Sequence, residues 1–201
     1  MATVDWPALR AFSPARMRFG ASTPKAAFSA MFTGQTQTIS HSADRLMCTI
    51  TLPPCSRADA GLRESFFMSL ASTGDWVRLW HRQRPAPLGT LRGSPTAQAA
   101  ASAGARTLSV QTTAGATMLG GDILGVNGQL LIAAYAGATA NGSGVMSLPL
   151  VLPIRAAISS AAALTWNAPT ATWQLATDMI DFSYMAPALQ DGLDIPLREV
   201  Y

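Results

Sequence analysis

From Thr107 to Tyr184 the chain cannot hold one direction for long. Apolar runs at Thr107–Gln111, Ile123–Val126, Gln129–Tyr135, Val145–Val151, Ala163–Trp166, Thr172–Ala176 and Met179–Tyr184 are interrupted by Gly120-Gly121-Asp122, Asn127-Gly128, Asn141-Gly142 and Asn167-Ala168-Pro169. Runs this short, bounded by residues that turn a chain, predict strands of a small barrel or sandwich. Asn127-Gly128 is the sharpest signal, because a two-residue type I′ hairpin needs positive φ at both central positions. Gly120, Gly121 and Asp122 read as a tight strand entry whose carboxylate bonds nearby backbone N–H groups. The same glycines carry no phosphate-loop or dinucleotide fingerprint, since no GK[ST] occurs and no helix is predicted after them.

The first half has a different pattern. "LMCTITL" (Leu46 to Leu52) puts Leu46, Cys48, Ile50 and Leu52 on one face, as a half-buried strand does. Pro53-Pro54 stops it, Ser56 reads as an N-cap with Asp59 three residues on, and a helix is predicted from about Arg57 to Ala71. Its Leu62, Phe66 and Leu70 stripe is expected to pack on a sheet. "WVRLW" alternates again, with Val77 and Leu79 inward and Trp76, Arg78 and Trp80 outward. The fold class expected is mainly β with one helix, a β-rich α+β fold of sandwich or barrel modules with extended terminal arms. The expected division is an N-terminal arm over 1–20, a sheet with its helix over 21–92, and an Ala/Gly/Ser/Pro-rich connection over 93–105. A β-barrel-like module follows over 106–185, then a C-terminal arm over 186–201.

Composition adds a surface problem. The 201 residues are 49% hydrophobic and 12% charged, where about 25% charged is usual. No stretch is long and unbroken enough to predict membrane insertion; the nearest, Leu148 to Leu164, contains Pro149, Pro153 and Arg155. The apolar surface is therefore expected to be covered by other subunits. A net charge of +3 on scattered arginines predicts no specific nucleic-acid partner. Two cysteines, Cys48 and Cys55, and a start without an apolar signal core fit synthesis and folding in a reducing cytoplasm.

Chemistry is sparse. The two histidines, His41 and His81, have no Cys, Asp or Glu at ligand spacing. "NGSGV" is not a nucleophile elbow, and Asp178 and Asp181 read as turn and strand-edge residues. The expectation is no catalytic residue, no metal and no cofactor. Contact residues are expected instead: Trp6, Phe12 and Phe19 from the N-terminal arm, and Trp76, Arg78 and Trp80, where two indoles flank a guanidinium. An alternative uses Trp76, Trp80, Trp166 and Trp173 as a stacking platform in a carbohydrate- or receptor-binding β-module.

The order of features also carries a resemblance. "FTGQTQTISHSADRLMCTITLPPCSRADAGLRESFFMSLASTGDWVRLWHRQRPAPLGTLRG" resembles a pattern in bacteriophage tail proteins. That pattern has a Phe-x-Gly-x-x-Gln opening, a strand ending in Leu-Pro-Pro, a helix carrying an aromatic, and a strand leading to a Pro- and Gly-containing segment. "LGGDILGVNGQLLIAA" and "LPLVLPIRAAI" are similar to the strands that follow in those proteins. The resemblance spans roughly residues 30 to 185 and implies a non-enzymatic virion component of the distal tail or baseplate-hub-like class. Such a subunit forms a ring with copies of itself, six-fold or a multiple of three, and contacts tube, hub and fibre proteins.

Overall fold

The computed structural model describes residues 1–29, 31, 33–40, 44–177, 179–185 and 189–201. Phe32, His41, Asp178 and the first residues of the expected C-terminal arm, Ala186 to Ala188, lie outside them. Strands make up 43% of the chain and helix 11%, so the β-rich α+β class holds. In chain order the first half contains β1 (Thr3–Asp5), β2 (Arg16–Ser22), β3 (Lys25–Ser29), β4 (Thr36–Ser40), β5 (Arg45–Leu52) and β6 (Cys55–Ser56). Helix α1 (Arg57–Thr73) and β7 (Trp76–Trp80) follow. Then come β8 (Thr96–Ala97), β9 (Thr107–Gln111), β10 (Thr117–Met118), β11 (Ile123–Val126), β12 (Gln129–Ile132), β13 (Ala138–Thr139) and β14 (Val145–Pro149). The last are β15 (Thr170–Leu175), β16 (Tyr184–Met185), β17 (Leu189–Gln190) and β18 (Leu193–Val200).

Six of these strands form the principal sheet in the order β1-β7-β15-β18-β5-β2. The pairing of β7 with β15 corrects the expected division of the chain. Trp80 stands opposite Thr170 in an antiparallel ladder, so the chain leaves the sheet at one residue and returns beside it. Residues 81–169 are an insertion between two neighbouring strands, and the sheet is built from both ends of the sequence. The alternation of "TATWQL" shows a half-buried strand but not its partner; it belongs to the first sheet.

The terminal arms are corrected for the same reason. Segment 193–200 is the central strand β18, paired with β15 on one side and β5 on the other. Pro196 made this segment read as an arm, because proline cannot donate to a ladder. Pro196 sits where the ladder to β15 runs out: the last register pair is Leu175 with Leu197, and the Pro196 carbonyl accepts from Ala176 N at 2.9 Å. The N-terminal 1–20 is held too, by β1 parallel to β7 and β2 antiparallel to β5.

Helix α1 starts at the predicted Ser56, whose Oγ accepts from Asp59 N at 3.4 Å, and stops at Gly74 with φ of 65°. The buried face matches the expected one at Leu70, with Phe66 packed at its edge, and departs from it at Leu62. Ala60, Arg63, Phe67 and Leu70 are buried, while Leu62 is half exposed and Phe66 half-buried. Arg63 replaces water with main-chain carbonyls: Nε donates to Ala11 O and Nη1 to Pro53 O, each at 2.7 Å. One side chain thus ties the helix to the N-terminal segment and to the turn after β5.

The insertion has its own core, including Leu108, Val110, Leu124, Leu131, Met146 and Leu148. Small sheets wrap it: β14-β9-β8, β11-β12 and β10-β13. Among the described residues these pairings do not close one barrel, and the expected Ala163–Trp166 strand is reduced to single bridges at Ala163 and Thr165. The expected strand over Met179–Tyr184 likewise shortens to β16. Within the expected connection over 93–105, Thr96–Ala97 pairs with β9 as part of the insertion.

Candidate functional site

The residues expected to meet partners divide between core and surface. Trp6 and Phe12 are buried, packed with Phe66 and Phe67 at ring separations between 5.2 and 6.3 Å. The Trp6 indole N–H donates to Phe12 O at 2.9 Å. A folded-back aromatic plug hides more apolar area than a free arm, so these two pack within their own chain. Phe19 is half-buried and stacks on His81 at 4.2 Å.

On β7, Val77 and Leu79 point inward as predicted, and Trp76, Arg78 and Trp80 lie on the opposite side. The expected indole–guanidinium–indole stack is not formed. Arg78 pairs with Asp5 at 3.4 Å, an exposed bridge of little energetic weight, and it is Arg82 that lies over Trp80, at 5.8 Å. The tryptophans do not gather into a platform. Trp173 is fully buried in the core of the principal sheet, and Trp166 belongs to the insertion, where Arg92 covers it at 5.0 Å.

The glycine-rich stretch behaves as predicted and does more. Asn127 and Gly128 both have positive φ, 48° and 76°, and join β11 to β12 as a two-residue hairpin. Asp122 is buried, and its carboxylate accepts three backbone N–H groups, from Leu88 at 2.8 Å, Gly89 at 3.0 Å and Leu119 at 2.8 Å. It therefore pins a loop more than thirty residues away, a partner the sequence spacing does not reveal. Gly120 is needed for close approach, because a Cβ there would lie 2.7 Å from Tyr135 O. Three exposed side chains collect around this knot: Leu88, Leu119 and Tyr135, the last wholly exposed. Arg84 adjoins them, its Nη1 donating to Gly121 O at 3.1 Å.

A second apolar patch lies on the sheet module. The strands β16-β17-β6 form a small sheet in which Met185 stands opposite Leu189, and Leu189 opposite Ser56. Met185 and Leu189 are exposed, as is Tyr184 beside them. Asp59 accepts a 3.1 Å hydrogen bond from Ser56 Oγ, and Asp191 directly follows β17, its carboxylate accepting from Gly192 N at 2.7 Å.

The two modules meet at a buried ion pair. Arg155 Nη2 donates to Glu199 Oε1 at 2.6 Å, and both side chains are almost fully enclosed. Glu199 also accepts from Leu130 N at 3.0 Å and Leu46 N at 3.3 Å, so it bonds one strand of each module. Gln129, fully buried, accepts from Arg155 N at 3.1 Å and donates to Ala156 O at 2.8 Å. Beside this seam opens a cavity of about 370 Å³, lined by Phe19, Leu46, His81, Ile123, Leu130 and Leu152. Burial holds the His81 imidazole below its usual range, with Arg84 adding to the effect. Burial likewise pushes the Cys48 thiol up to about 12, so it is a packing group rather than a nucleophile. Among the described residues no three His, Cys, Asp or Glu side chains gather as metal ligands would.

Neither a known protein family nor a characterised relative matches this chain. The arrangement offers two exposed apolar patches, one on each module, and a buried ion pair where the modules meet.

Proposed function

We propose that the chain is a non-enzymatic structural subunit of a bacteriophage tail, part of a distal tail or baseplate ring that joins the tube or hub to tip proteins or fibres. The observation that carries this reading is an uncovered apolar patch on each module of a charge-poor molecule. Monomers rarely leave such patches free, and a subunit contacting neighbours on two sides needs two of them. Support also comes from the order of the tail-protein resemblance, in which a Leu-Pro-Pro strand, a helix and an outgoing strand precede the "GGD" segment. The carbohydrate-binding alternative is weaker, because Trp173 is buried in one core, Trp166 packs on the other, and only Trp76 and Trp80 share a surface. In this reading the protein acts in the virion.

Mass photometry of the purified chain at micromolar concentration, followed by negative-stain imaging, tests the proposal. Closed rings of six copies or a multiple of three are the expected result. A monomer that also fails to join isolated tails, or a clear lysis band on host cell walls, would overturn it.

A further inference from the structure

The charges are unevenly divided between the modules. Residues 81–169 hold five arginines, no lysine and one acid, Asp122, a net of +4; the rest of the chain holds nine basic and ten acidic residues, a net of −1. Asp122 is buried and spent on backbone N–H groups, and Arg155 is buried against Glu199. The charged surface of the insertion is therefore arginine alone: Arg82, Arg84, Arg92 and Arg106. Two of these frame its apolar patch. Arg84 bonds Gly121 O, and Arg92 bonds Pro87 O, Gly89 O and Leu91 O in the loop that carries Leu88.

The patch on β16 and β17 has the opposite surroundings. Asp59 bonds Ser56, which stands opposite Leu189, and Asp191 directly follows β17, while Arg57, next to Ser56, is the one base beside them in sequence. Apolar anchors flanked by arginine on one module thus match apolar anchors flanked by aspartate on the other. The loop of the first is tied down by the Asp122 bonds, and β17 of the second pairs with β6. Because the patches lie on different modules of one chain, they are suited to contact between copies.

We infer that Leu88, Leu119 and Tyr135 of one copy dock against Met185 and Leu189 of a second copy of this chain, head to tail. The contact is heterologous: each subunit gives its basic insertion to one neighbour and its acidic face to the other. Opposite charge sets the direction and disfavours insertion-to-insertion pairing. This inference rests on the ring reading above and specifies the surfaces that make the ring.

The test uses the full chain with Tyr135→Asp and, separately, Leu189→Asp. Both positions are exposed, so each variant keeps the wild-type melting temperature. Mass photometry is expected to give monomers for each variant alone, and dimers without rings when the two are mixed, because one undamaged patch remains on each partner. Wild-type assembly is expected to weaken as salt is raised. Rings that persist in both folded variants would overturn the docking surfaces and leave the ring reading standing. A wild-type chain that stays monomeric would overturn the docking surfaces, and one that also fails to join isolated tails would overturn the ring reading with them.

Discussion

Glu199 shows how one side chain can bind two modules. Its position on the inward row of β18, with Leu193, Ile195 and Leu197, buries it, and Arg155 with two backbone N–H groups makes that burial tolerable. Glu199→Gln leaves the guanidinium buried without its anion and is expected to cost about 3–5 kcal/mol, read as a lower urea midpoint. Asp122 is the second such residue. Asp122→Ala strands three N–H donors and is expected to cost about 3 kcal/mol while loosening the loop that presents Leu88. His81 contributes to the response to acid. Its folded pKa lies below the usual 6.5, so on acidification the unfolded chain takes up a proton before the folded protein does. Stability is full above about pH 6.5 and falls as pH drops below it. His81→Phe keeps an aromatic ring on Phe19, and its melting temperature is expected to change less between pH 7.5 and 5.5 than that of the wild type.

Elements were legible where the signal is local. The strand at Arg45–Leu52, the cap at Ser56, the "WVRLW" strand and the Asn127-Gly128 hairpin each follow from neighbours in sequence. The buried face of α1 was legible only in part, because it depends on what lies against the helix. Phe66 and Leu70 pack on the core as the stripe predicts, yet the Trp6–Phe12 plug and the Ala11 carbonyl add Phe67 and Arg63 and leave Leu62 outside. Melting of single variants separates the two faces: Phe67→Ala is expected to lose about 3–5 kcal/mol, and Leu62→Ala about 0.5 kcal/mol or less. Pro196 misled for a related reason. A proline argues against a central strand only if its missing donor faces a partner, and here the partner ladder has ended.

At the scale of the whole molecule, the insertion is the dominant fact. Its ends meet at Trp80 and Thr170 and it has a separate core, so residues 81–169 expressed alone are expected to melt cooperatively. The sheet module closed by a short turn is expected to melt lower than the full chain, because Ile123, Leu130 and Leu152 complete its core and Arg155 neutralises Glu199. Sequence alone determined the β-rich class, the single helix and the main turns, since strand alternation, capping and positive-φ turns are set within a few residues. It also contained the charge imbalance, but that could be assigned to a module only after its boundaries were known. Tertiary structure alone decided that 170–175 and 193–200 return to the first sheet, that Trp6 and Phe12 are core, and that Leu88, Leu119 and Tyr135 share one exposed patch. The reason is physical: alternation gives each strand an inward face, but the partner on either side is fixed by contacts between segments far apart in the chain.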